Sequence, residues 1–160
     1  SLDRLGPEDW QRNRRIRVRA LTEDPDAFGS LLADARKLTE HGWRDRLART
    51  DMTTFVATTK EGLDIGLIVG APYDEAAGLF SMWVAADARK CGIGGVLVDA
   101  VIAWARAAGH PRLFLDVGDD NLAAIALYAS RGFEPTGQTA RLDPPRDHIT
   151  EHQRVLILPS

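Results

Sequence analysis

The chain has 160 residues, 44% of them hydrophobic and 27% charged, with 20 basic and 23 acidic side chains and a formal net charge of −3. That balance is expected of one soluble globular domain over 1–160, and it excludes the basic field that nucleic acid demands. No apolar run reaches membrane-spanning length, the first residues carry no secretion pattern, and a single cysteine, Cys91, excludes an internal disulfide, so the default expectation is a cytoplasmic enzyme or binding module with no membrane partner.

In chain order, residues 1–5 read as a short strand. Pro7, Glu8 and Asp9 then mark a helix start, with proline in the first turn and acids at its N-terminus. The helix runs to about Leu21 on a thin apolar face of Trp10, Ile16, Val18 and Leu21, where arginine stems cover surface. Pro25 ends it by disfavouring helical backbone at Asp24. A second helical stretch spans 30–48, with an interruption expected near His41 and Gly42. From residue 53 the period changes to that of strands, at 54–58, 63–71 and 79–85, joined by short links and therefore antiparallel.

Val96, Leu97, Ala100, Val101, Trp104, Ala105 and Ala108 recur at helical spacing. Gly109 followed by Pro111 stops that helix, and 113–117 is the next strand. Strand, helix, strand is a βαβ unit, which makes the two strands parallel and the crossover right-handed. A helix over 121–131 closes on Gly132, and strands near 136–141 and 154–158 finish the chain around a proline-bearing loop at 143–147. The fold class is α/β (α+β): a mixed, partly open sheet flanked by helices, with the βαβ unit at its centre.

Between strand and helix lies Arg89-Lys90-Cys91-Gly92-Ile93-Gly94-Gly95. A glycine-bearing loop that runs into a helix N-terminus offers unpartnered main-chain N–H groups and the positive end of the macrodipole to an anion. Gly92 and Gly94 let backbone approach a phosphate, and Arg89 and Lys90 add charge. A tight turn that merely starts a helix would use the same glycines. The rival motifs fail: a dinucleotide fingerprint needs glycine where Leu97 stands, and a P-loop needs Gly-Lys-Ser/Thr at the loop's end.

The loop also matches an Arg/Gln-x-x-Gly-x-Gly/Ala signature. Downstream, Asn121-Leu122-Ala123-Ala124-Ile125-Ala126-Leu127-Tyr128 precedes Arg131-Gly132-Phe133-Glu134-Pro135. Together, over about 79–137, these resemble the GCN5-related N-acetyltransferase (GNAT) superfamily, which binds acetyl-coenzyme A (acetyl-CoA). The resemblance implies that the loop wraps the pyrophosphate of coenzyme A and that the two parallel strands splay at their C-terminal ends. Main-chain N–H near Trp83 and Val84 then meets the acetyl carbonyl. It implies cofactor contacts for Arg89, Lys90, Cys91, Gly92, Ile93, Gly94, Gly95, Asn121 and Tyr128.

Asn121, Ile125 and Tyr128 fall on one helix face. The resemblance gives Tyr128 the role of general acid to the departing thiolate; its plain alternative is a half-buried packing tyrosine, as capping is for Asn121. The acceptor is a primary amine on a small molecule or a protein N-terminus, met by the loops at 22–30 and 141–151. Some members carry a glutamate on the strand before the loop. Here Ser81, Met82 and Trp83 stand there, so the base is open among a water chain, Glu23, Asp24 and Asp116. The other class of function is a non-catalytic acyl-CoA-binding module on the same fold; a nucleotide-binding use of the loop is a third. A homodimer is allowed. His148 and His152, beside Pro144 and Pro145, are not a metal pair.

Overall fold

The computed structural model describes residues 1–25 and 31–159. The expectations for residues 26–30, part of the first acceptor loop and the start of the second helical stretch, lie outside the described residues.

Seven strands form one sheet in the order β1-β2-β3-β4-β5-β7-β6: β1 (Leu2–Arg4), β2 (Thr53–Thr58), β3 (Asp64–Tyr73), β4 (Ala76–Val84), β5 (Arg112–Gly118), β6 (Glu134–Arg141) and β7 (Thr150–Ile157). Every neighbouring pair is antiparallel except β4 and β5, which are parallel as the βαβ reading requires. The helices are α1 (Trp10–Glu23), α2 (Leu32–Lys37), α3 (Glu40–Ala48), α4 (Ile93–Ala107) and α5 (Leu122–Ser130).

The sheet separates two cores. On one face, Val98, Val101 and Ala105 of α4 and Ala124 and Tyr128 of α5 pack on Ile68, Leu79, Leu113 and Leu115. On the other, Ile16, Ala20 and Leu21 of α1 join Trp43 of α3 over Val56, Leu67 and Trp83. Alternation along the strands sends successive side chains to these two layers.

Among the boundaries that differ from the sequence expectation, four have a clear local or tertiary reason. The stretch at 30–48 is two helices, broken at Thr39 rather than near Gly42. Thr39 is extended (φ −79°, ψ 169°), and its Oγ1 accepts a hydrogen bond from Gly42 N at 3.2 Å, so Gly42 sits inside the first turn of α3. Thr39→Ala removes this cap and is expected to lower unfolding free energy by about 1 kcal/mol in a urea titration. β4 begins three residues early because Asp74 adopts a left-handed φ of 51° and lets Tyr73 pair directly with Ala76. α4 begins at Ile93, not Val96, so Gly94 and Gly95 belong to the helix and Gly92 caps it. β7 begins at Thr150, because its polar start is paired on both sides, by Glu151 opposite Gly118 and Ala140.

Candidate functional site

Two irregularities in β4 open the site. The first is a bulge. Val69 pairs with Phe80 and Leu67 with Trp83, so two steps along β3 take up three along β4. Ser81, at the bulge, has a φ of 57°. Its hydroxyl accepts a hydrogen bond from Nη1 of Arg17, 2.9 Å away in α1. Arg17 is buried, and desolvation, with the charge of Arg46 adding, pushes its guanidinium pKa down to about 10.

The second irregularity is the splay. β4 and β5 pair only at Ala77 with Leu113 and Gly78 with Phe114. Beyond Gly78 they part, as the resemblance implies. Ala85 N donates to Ile65 O at 2.8 Å, so by antiparallel alternation the main-chain N–H and C=O of Val84 face away from β3, toward the gap.

A cavity of about 590 Å³ fills the gap between the end of β4, the glycine loop and α5. Trp83 and Val84 line it from the strand; Arg89, Lys90 and Gly92 from the loop; Ile93, Gly94 and Gly95 from the first turn of α4; and Asn121 from the entry to α5. The structure thus brings together nine of the eleven residues expected at the site.

Cys91 and Tyr128 are not in the cavity wall. Cys91 is an exposed free thiol whose Sγ lies 3.6 Å from the carbonyl of Arg89. Tyr128 stands one position behind the wall residue Leu127. It is 5% exposed, edge-on to Phe133 with ring centroids 5.9 Å apart. It is therefore more buried than the half-buried packing alternative. Burial raises its phenol pKa, so the hydroxyl keeps its proton across the neutral range. Among the described residues no group hydrogen-bonds that hydroxyl, and its oxygen is not sealed from solvent.

Asn121 precedes α5 rather than lying on its face. Its Oδ1 accepts from Ala124 N at 3.3 Å, and the residue also lines the cavity, so the cap and the site position hold together.

The loop has the chemistry of an anion cradle. Lys90 and Gly92 both take left-handed φ, 66° and 80°. A Cβ on Gly92 would meet nothing within 4 Å, so this glycine is required by φ and by the open approach to its backbone, not by crowding. Val96 N closes the first helical bond to Gly92 O. The N–H groups of Ile93, Gly94 and Gly95 consequently have no acceptor within the helix, and they stand at the wall of the cavity. Lys90 forms no ion pair among the described residues. These residues fit a pyrophosphate-bearing ligand.

Four contacts escaped the sequence. Arg131, held by Asp99 at 3.1 Å, lies over Gly95, where its guanidinium fills the place of a Cβ. Asp24, at the end of α1, accepts hydrogen bonds at one oxygen from the Trp83 indole at 2.7 Å and from Arg89 Nη2 at 2.9 Å. Arg89 Nε donates to Val84 O at 2.9 Å. Arg89 therefore spends two donors on protein groups, where sequence reasoning aimed it at phosphate. No local signal announces these pairings; each joins residues that are distant in the chain or a side chain to a main-chain carbonyl.

The other carboxylates considered as bases sit differently. Glu23 is paired with Arg19 on the surface. Asp116, on the β5 face opposite α4, accepts from the Tyr73 hydroxyl at 3.1 Å and forms no ion pair among the described residues. Burial raises its pKa against the opposing effect of the Tyr73 hydrogen bond. Glu151 is also raised, by burial first and then by the charge of Asp116.

A model of the acetyltransferase (GNAT) family matches residues 14–133. The chain belongs to this family. It is 35% identical over 91 residues to human N-acetyltransferase 8, covering 53% of this chain and 40% of that protein. It is 29% identical over 157 residues to a mycothiol acetyltransferase of Nocardiopsis dassonvillei, covering 83% of this chain and 47% of the relative. The chain thus spans less than half the length of either. Its fold matches the crystal structure of a ribosomal-protein-alanine N-acetyltransferase from Brucella melitensis, with a TM-score of 0.80, 24% identity and 99% coverage of both chains. It likewise matches a putative acetyltransferase of Salmonella typhimurium solved with its cofactor acetyl-CoA, with a TM-score of 0.80, 17% identity and coverage of 100% and 94%. Among the described residues no helix is long and apolar enough to cross a membrane, and no cluster of His, Cys, Asp and Glu could hold a metal ion.

Proposed function

We propose that this chain is an N-acetyltransferase, a single catalytic domain that uses acetyl-CoA and acetylates a primary amine by direct attack. One observation carries the reading: the unpartnered N–H groups at the start of α4 and the open edge of β4 line the same cavity, so one ligand can meet an anion cradle and an unpaired strand end together. Acetyl-CoA supplies an activated acetyl thioester. Gly92, Ile93, Gly94 and Gly95 would hold its pyrophosphate through main-chain N–H, with Lys90 adding charge. The Val84 N–H is placed to stabilise charge that develops on the acetyl oxygen. Tyr128, protonated at neutral pH because it is desolvated, would give its hydroxyl proton to the departing sulfur. The acceptor amine would be met by residues 22–25 and by the loop at 141–151.

The test is a calorimetric titration with CoA beside a thiol-release assay on a panel of primary amines. Gly92→Val puts a β-branched residue at φ 80° in open space, so the strain, about 1–2 kcal/mol, is relieved by moving the loop. The dissociation constant for CoA is expected to rise roughly tenfold with the far-UV spectrum unchanged. Unchanged affinity would remove the loop from the site.

The acyl-CoA-binding module remains the second reading, favoured by the absence of a glutamate at Ser81, Met82 or Trp83. Tight CoA binding with no turnover on any amine would establish it.

A further inference from the structure

The end of β4 is pinned at three consecutive residues, and two of the pins meet on Asp24. Trp83 is held through its indole, which donates to Asp24 Oδ2 at 2.7 Å. Arg19 lies over the same indole, 5.2 Å from the ring centroid. Val84 is held through its carbonyl, which accepts from Arg89 Nε at 2.9 Å. Ala85 is held through its N–H, which donates to Ile65 O at 2.8 Å. Arg89 is in turn fixed by Nη2 on Asp24 Oδ2 at 2.9 Å.

The main-chain group left open in this segment is the Val84 N–H, which faces the gap between β4 and β5. Its peptide is fixed on one side by Trp83 and on the other by the doubly bonded Val84–Ala85 unit. The Asp24–Arg89 ion pair is too exposed, at 47% for Arg89 and 31% for Asp24, to be present for stability alone. Its geometry accomplishes something else: it occupies the Val84 carbonyl, so the strand end presents a donor and no acceptor to whatever fills the gap.

We propose that Asp24 and Arg89 act together as positioning residues that fix the Val84 N–H toward the acyl end of the ligand, with Arg89 serving the strand end and not the phosphates. The proposal rests on the acetyl-CoA reading above. It follows that the α1 terminus, the β4 end and the glycine loop move as one body around a single carboxylate oxygen. A donor aimed at developing charge loses its effect steeply with displacement, so releasing the pin acts on turnover rather than on ligand affinity.

The experiment compares Arg89→Ala, Asp24→Ala and the double variant in the full chain. It measures kcat and KM for acetyl-CoA by thiol release, Kd for CoA by calorimetry, and the indole ¹⁵N–¹H resonance of Trp83. Each single variant is expected to lower kcat on the order of tenfold, and the double variant no further, because both remove one device. Kd for CoA is expected to stay within about twofold, as for a rim charge. Asp24→Ala shifts the Trp83 indole resonance while those of Trp10, Trp43 and Trp104 stay in place, which loss of the fold would not do.

Asp24→Asn keeps an oxygen for the indole but drops the charge that holds Arg89. It serves if the alanine variant fails to fold, and the same loss of kcat is expected. A fall in CoA affinity with kcat retained makes Arg89 a phosphate ligand and overturns the proposal, as do additive losses in the double variant or unchanged kcat in the singles. A wild-type chain that binds no CoA, or binds it without turnover on any amine, overturns the catalytic reading and the proposal with it.

Discussion

Tyr128→Phe is expected to lower kcat by roughly 100-fold in a thiol-release assay while changing the dissociation constant for CoA, read by calorimetry, by less than about threefold. The loss of turnover rests on the proposed acid role; the retained fold and affinity rest on how the ring is packed. Tyr128 packs against Phe133 behind Leu127, and its ring belongs to the core that α4 and α5 share with the sheet. Phenylalanine keeps that packing and removes one oxygen. Because that hydroxyl has no partner among the described residues, its loss leaves no orphaned donor or acceptor behind. The melting temperature should therefore hold. The raised phenol pKa keeps the proton available at neutral pH, and it also means the residue does not act as a base there. Equal turnover in the two proteins would make Tyr128 a packing residue alone.

Trp43→Ala is the variant with the largest expected effect on stability. Trp43 is fully buried at the centre of the second core, among Ile16, Leu21, Val56 and Leu67. Truncating a buried aromatic to alanine leaves a cavity the surrounding helices cannot close, and the loss is about 3–5 kcal/mol in urea unfolding. Arg46, whose guanidinium lies 5.6 Å from the ring centroid and whose pKa is lowered chiefly by burial, would be left against that cavity. The Trp43 indole N–H has no partner among the described residues. Trp43→Phe removes the unpaired donor and keeps most of the volume, so its cost should fall below about 1.5 kcal/mol. A loss as large as that of Trp43→Ala would show that the indole is specifically required.

What could be read from the chain in advance was whatever is encoded locally. The three- and four-residue steps of Val101, Trp104, Ala105 and Ala108 announced α4, and the glycines after Lys90 announced the loop before it. The switch from short links to a helical crossover announced that β4 and β5 are parallel. What escaped was encoded at a distance. The polar run from Thr150 to Gln153 carries no strand pattern; it is strand because Gly118, Val117 and Asp116 pair with it on one side and β6 on the other. Ser81 reads as an ordinary strand residue until Arg17 reaches it across 64 positions of sequence. Arg89, in a phosphate motif, looked like a phosphate ligand because nothing adjacent shows that Asp24 and the Val84 carbonyl take its donors.

The parting of β4 and β5 after Gly78 also bears on how the protein holds together. A sheet whose middle seam is closed by two residue pairs has exchanged main-chain bonds for an opening. The left half, β1 to β4 with α1 and α3, and the right half, β5 to β7, therefore share little backbone where the cavity lies. On the acetyl-CoA reading, a ligand that spans the gap would supply main-chain partners there. Such a ligand is expected to add about 2.7 kcal/mol to stability at a hundredfold excess over its dissociation constant, which a melting curve with and without CoA would read. Across that opening the two halves are joined by the core beneath α4 and α5, so on the acetyl-CoA reading a bound donor would add a second tie where the main-chain one is missing.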